Sequence, residues 1–175
     1  MKEDRTRQKA PREQYKPADI SSRDADFPII GIGTSAGGLE ALQKFFAHVP
    51  DDFTPAFVVI QHLASDYKSL MVSLLAKHTT MSVFQAEEEM ELVANSVYLI
   101  PPGKNMTLQN RTLRLTDKPE GQVLNLPINI FFESLAATQQ ESAVGVILSG
   151  TGSDGTHGLR TIKEVGGIVL AQEPE

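Results

Sequence analysis

The amino-acid sequence predicts an α/β domain: a doubly wound, mostly parallel sheet with helices on both faces and a small β-hairpin insertion. Three observations predict it. Short apolar runs recur along the chain without polar alternation, as strands buried on both faces require. Segments with apolar residues at helical spacing separate these runs. Two of the runs enter glycine-rich loops that lead into such segments, the strand–loop–helix order of an open α/β sheet.

The elements follow in order. Residues 1–26 hold seven Lys or Arg, six Asp or Glu, two prolines and few large apolar groups. Such a stretch buries too little surface to offset its ordering entropy, so a disordered charged tail or linker is expected there. The folded domain is expected over 27–175. Phe27 to Gly33 reads as a buried strand running into a glycine loop. Leu39, Leu42, Phe45, Phe46 and Val49 carry helical spacing. Ala56 to Gln61 is a second buried strand. Ser69 to Lys77 is expected to be helical, with Leu70, Leu74 and Leu75 on its inner face. Ser82 to Ala86 and Val97 to Pro101 are short strands, the second stopped by Pro101-Pro102-Gly103. Met106 to Leu115 reads as a hairpin turning near Gln109-Asn110. Ile128 to Thr138 is a helix with Pro127 at its first turn. Val144 to Leu148 is a strand before the second glycine loop, Leu159 to Val165 a helix, and Gly167 to Ala171 a final strand.

Composition narrows the function. The chain has 175 residues, room for one core but hardly for two. Its net charge of −6 argues against nucleic-acid binding, which favours a basic surplus. Without cysteine there is neither a disulfide framework nor a thiolate metal site. No H-E-x-x-H run or close His/Asp cluster suggests a metal, and no cofactor is expected. No apolar run spans a bilayer and the N-terminus lacks a secretory signal, so a cytoplasmic location without membrane insertion is expected.

Chemistry in a doubly wound sheet collects at the carboxyl ends of the strands. Three capable groups fall there. Ser35 lies in Gly31-Ile32-Gly33-Thr34-Ser35-Ala36-Gly37-Gly38, near the start of a helix whose free N–H groups suit an oxyanion. The loop alone does not separate a nucleophile from a capping serine. His62 directly follows the second strand, which places it at the same edge. Asp154 lies in Gly150-Thr151-Gly152-Ser153-Asp154-Gly155 after the strand ending at Leu148. It could orient His62, cap the helix that follows, or do both. His157 is a rival base better suited to a helix surface, while His48 and His78 sit toward helix ends as structural groups. Gly31, Gly33 and Ala36 also fit a loose dinucleotide-binding pattern. That pattern wants a carboxylate at the end of the second strand, where Gln61-His62 stands instead.

These motifs resemble those of the CheB methylesterase family, whose pattern runs I-G-x-S-x-G-G, then Q-H, then G-x-G-x-D-G. Here they read Ile32 to Gly38, Gln61-His62 and Gly150 to Gly155, supported by Tyr98 to Gly103 and Ala143 to Leu148. The similarity extends from Phe27 to Gln172. Where the family often has methionine this chain has Thr151, and a typical R-P-S-x-D run reads Asn125-Leu126-Pro127-Ile128-Asn129. The family's usual end lies beyond Glu175, so a last strand or helix is expected to be missing.

The resemblance implies a protein-glutamate methylesterase, and with it glutamine deamidation. Ser35 becomes the nucleophile, His62 the general base and acid, and Asp154 the orienting carboxylate, with N–H groups near Ala36 and Thr151 as oxyanion donors. The implied substrate is a methylated chemoreceptor-like protein. The resemblance is to the version fused to CheR-like methyltransferase and sensor-kinase modules, which become expected partners. Two alternatives stay open from sequence: a non-catalytic regulatory module with the same fold, and a nucleotide-binding domain.

Overall fold

The computed structural model describes residues 27–35, 38–61, 70–118, 125–148 and 153–173. The predicted charged tail lies outside them. Eight strands and four α-helices occur among the described residues: β1 (Ile29–Thr34), α1 (Leu39–Phe46), β2 (Ala56–Gln61), α2 (Leu70–Leu75), β3 (Ser82–Gln85), β4 (Ser96–Leu99), β5 (Lys104–Gln109), β6 (Thr112–Asp117), α3 (Pro127–Gln139), β7 (Val144–Leu148), α4 (Thr156–Glu164) and β8 (Ile168–Ala171). Six strands form one sheet in the order β3-β4-β2-β1-β7-β8, and every pair is parallel. β5 and β6 form the antiparallel hairpin, turning through Asn110 at φ 56°.

The expected doubly wound architecture is what the side chains build. β1 and β2 are buried at every position, so each strand feeds two cores. Ile30 and Ile32 pack with Leu42 and Phe46 of α1 and with Met71 and Leu75 of α2. On the other face Ile29, Val58 and Ile60 pack with Phe131, Phe132 and Leu135 of α3 and with the hairpin's Met106, Leu108 and Leu113. Phe45, Phe46 and Phe57 meet edge-to-face at centroid distances of 5.1 to 5.6 Å, fastening α1 to β2. The hairpin is tied to α3 by the Leu108 N–H, which donates to Ser134 Oγ at 2.9 Å.

Two details differ from the sequence reading. The inner face of α2 carries Met71 and Leu75, whereas Leu70 is exposed. Both Leu70/Leu74 and Met71/Leu75 have the i, i+4 spacing of one helix row. The row that faces Val97, Leu99 and Met81 is buried, and contact across the fold selects it. α4 begins at Thr156, three residues before the first apolar position, because Gly155 at φ 98° starts it from a left-handed conformation.

Glycine on β1 sets how closely α3 approaches. A Cβ on Gly33 would lie 2.5 Å from Ile128 Cγ2 and 2.7 Å from Ile147 Cδ1, and one on Gly31 would lie 2.9 Å from Phe132 Cε1. The first turn of α3 therefore rests on bare backbone beside the end of β1. Gly33→Ala is expected to push Ile128 outward and lower stability by about 1–3 kcal/mol, the usual cost of overpacking a filled core. Urea unfolding of the purified protein checks this, with a midpoint equal to wild type as the contrary result.

Candidate active site

Parallel register brings three strand ends to one height. Thr34, the last residue of β1, is the Cα partner of Gln61 at the end of β2 and of Leu148 at the end of β7. β1 is the middle strand, so the residue after it emerges between two neighbours at the carboxyl rim. That residue is Ser35, half-buried, whose carbonyl accepts the Gly38 N–H at 3.1 Å. This bond closes a turn from β1 into α1. Gly38 is the N-cap of α1 and has no side chain to satisfy the first-turn N–H groups. The predicted position of Ser35 beside a helix N-terminus is found in the fold.

The pleat of β1 gives the two sides of this rim different characters. Ile30, Ile32 and Thr34 face α1, while Gly31 and Gly33 lie under α3. Thr34 is 1% exposed, and its hydroxyl has no hydrogen-bond partner among the described residues. Gly38 fits only because it lacks a Cβ, which would overlap Thr34 Oγ1.

Asp154 reaches the rim from the other direction. The N-cap position of α4, which one sequence reading gave to Asp154, is held by Gly155. The Asp154 carboxylate closes the N-terminus of α3. Oδ2 accepts the Ile128 N–H at 3.1 Å and Oδ1 accepts the Asn129 N–H at 3.0 Å. Pro127 at the first position of α3 has no N–H to satisfy, so the carboxylate serves the next two donors. Ile128 is also the residue packed over Gly33, two positions before Ser35. One isoleucine thereby joins the end of β1 to the Asp154 carboxylate.

Asn129 was not singled out from sequence, yet it completes the arrangement. Its Oδ1 accepts the Gly155 N–H at 3.1 Å and the Gly158 N–H at 2.8 Å, capping α4 in turn. Its sequence signals are a polar residue in the first turn of an otherwise apolar helix and its place at the last position of the run that stands for the family's R-P-S-x-D.

Of the three predicted site residues, the structure carries Ser35 and Asp154 to the carboxyl side of neighbouring strands. His62 lies outside the described residues, as do Ala36 and Thr151, the proposed oxyanion donors. His62 follows Gln61 directly, and Gln61 is 8% exposed at the register position of Thr34. The rival His157 is exposed on α4, and its carbonyl accepts the Thr161 hydroxyl. His48 and His78 are exposed. Among the described residues no cluster of three or more His, Asp or Glu gathers to hold a metal, and no helix is long and apolar enough to cross a membrane. Glu40 and Lys44 pair at 2.8 Å on the outside of α1, where the lysine's hydrogen bond and charge hold the glutamate below its ordinary pKa.

Comparison with known proteins agrees with this geometry. The family pattern described as CheB methylesterase matches residues 30–175. The crystal structure of the Thermotoga maritima CheB methylesterase catalytic domain superposes with a TM-score of 0.75 at 26% identity, over 86% of this chain and 82% of that one. A protein-glutamate methylesterase/protein-glutamine glutaminase of Anaeromyxobacter dehalogenans is 33% identical over 87% of this chain and 45% of its own length. One from Pseudomonas fluorescens is 32% identical over 96% of this chain and 50% of its own. An uncharacterised 104.1 kDa protein of Rhodobacter capsulatus is 54% identical over 59% of this chain, which is 11% of that protein. The chain thus spans about half the length, or less, of these curated relatives. It belongs to the CheB methylesterase family.

Proposed function

We propose that this chain is the catalytic domain of a protein-glutamate methylesterase that hydrolyses glutamyl methyl esters through Ser35, His62 and Asp154. The observation that carries the reading is the rim itself. Ile128 packs over Gly33 near the end of β1 and donates its N–H to Asp154, beside the strand that precedes His62. The names of the Anaeromyxobacter and Pseudomonas relatives supply the substrate class.

In this reading Ser35 Oγ attacks the ester carbonyl carbon while His62 takes its proton. The carbonyl oxygen becomes an oxyanion beside the N-terminus of α1, where N–H groups point outward. Collapse of the tetrahedral intermediate breaks the bond to methoxide, which leaves as methanol with the proton from His62. Water then attacks the acyl-enzyme with His62 as base again, releasing a glutamate carboxylate and restoring Ser35. Asp154 holds the imidazole in the required tautomer and stabilises its cation. An amide in place of the ester releases ammonia by the same steps, the deamidase activity that the relatives' names include. The substrate is a methylated chemoreceptor-like protein, and the working context is a cytoplasmic signalling chain with fused CheR-like methyltransferase and sensor-kinase modules.

The test is methanol release from a methylated receptor fragment by the purified protein. Ser35→Ala and His62→Ala are each expected to lower turnover by about 10³-fold or more. Wild-type protein without turnover, or a Ser35→Ala variant with near wild-type rates, would refute the assignment.

Asp154 carries a second expectation that Ser35 does not. Asparagine keeps one acceptor oxygen and places an NH₂ donor against a backbone N–H of α3. Asp154→Asn should therefore lose activity and also about 1–3 kcal/mol of stability. Ser35→Ala should stay within about 0.5 kcal/mol of wild type in the same urea titration. Equal stability of the two variants would contradict the capping role.

A further inference from the structure

We infer that Asn129 is a positioning residue for the Asp154 carboxylate, and that the two side chains work as one coupled cap. The inference deepens the esterase reading, on which its catalytic consequence rests. Asn129 lies in the first turn of α3 and is 7% exposed. Its backbone N–H donates to Asp154 Oδ1 at 3.0 Å, and its side-chain oxygen accepts the Gly155 and Gly158 N–H groups at 3.1 and 2.8 Å. The peptide that follows Asp154 is therefore gripped by the same residue that fixes the aspartate's own oxygen. Ile128 adds the second grip, through its N–H on Oδ2. A carboxylate with both oxygens engaged and the next peptide N–H also engaged has little freedom to rotate.

The packing leaves no slack. A Cβ on Gly158 would lie 2.5 Å from Phe132 Cβ and 3.2 Å from Asn129 Cα, so glycine lets α4 lie directly on α3. One on Gly155 would lie 2.5 Å from Ile147 Cδ1 and 3.0 Å from Ile128 Cγ2. Without Asn129 Oδ1, two buried N–H groups lose their acceptor. The Asp154 loop then gains the freedom that the side-chain oxygen denied it. An orienting carboxylate that drifts by about 1 Å can cost on the order of 10²-fold in rate without changing how substrate binds.

The test uses the whole protein with Asn129→Ala and Asn129→Asp. Turnover is read as kcat and KM, and hydrogen exchange is read at the amides of Ile128, Gly155 and Gly158. The alanine variant is expected to lose about 10- to 100-fold in kcat with KM within about twofold of wild type. The aspartate variant keeps an acceptor oxygen at the same point, and its kcat should return to within about fivefold of wild type. Exchange in the alanine variant should quicken at Gly155 and Gly158 and also at Ile128, whose amide touches only Asp154 in this cap. Three results would overturn the proposal: unchanged kcat in folded Asn129→Ala, a larger loss in folded Asn129→Asp, or quickened exchange at the two glycines with Ile128 as protected as in wild type. If the alanine variant does not fold, the aspartate variant's kcat decides. A wild-type protein without turnover refutes the esterase reading alone, and the exchange data still decide whether the two caps are coupled.

Discussion

Two helices that each close the other's N-terminus form the constraint on which this rim depends. An α-helix leaves its first N–H groups without partners, and a side-chain cap is worth roughly 1 kcal/mol. Here the caps are exchanged: Asp154, just before α4, serves α3, and Asn129, inside α3, serves α4. Four hydrogen bonds thereby depend on the mutual placement of two helices, whereas local caps would depend only on each helix's own sequence. Losing either side chain strands donors belonging to the other helix, at about 1–3 kcal/mol for each buried group left unsatisfied. The arrangement fixes the aspartate loop as a consequence of packing α3 on α4.

That packing rests on glycine. Gly31 and Gly33 lie within β1, and Gly155 and Gly158 at the start of α4, and each marks a place where a side chain of α3 or β7 fills the space a Cβ would take. The sequence pattern that suggests a phosphate-binding loop contains two of these glycines. In the fold Gly31 and Gly33 are strand residues that admit Phe132 and Ile128. One spacing of small residues serves two physical purposes, and burial decides between them.

The strands and most helices were readable in the sequence because their signal is local. An apolar run such as Ala56 to Gln61 has to be covered on both sides, and Pro127 marks the start of α3 as expected. Ser35 and Asp154 were readable as rim residues because each follows a strand of a parallel sheet. What remained hidden involves distant partners. The inward row of α2 is chosen by β4, and Asp154 caps a helix that begins 27 residues earlier in the chain. Asn129 gave no local sign of its role, since its acceptors' partners lie 26 and 29 positions away.

The pleat of β1 joins these layers to the chemistry. Its even positions, Ile30, Ile32 and Thr34, point toward α1, and of its odd positions Gly31 and Gly33 lie under α3. A slip of one residue in β1 would turn isoleucines onto the positions of Gly31 and Gly33, where Phe132 and Ile128 already fill the space. Thr34, the last residue of the even series, is sealed on the α1 side, and among the described residues nothing partners its oxygen, so the size of its neighbours rather than a hydrogen bond holds it there.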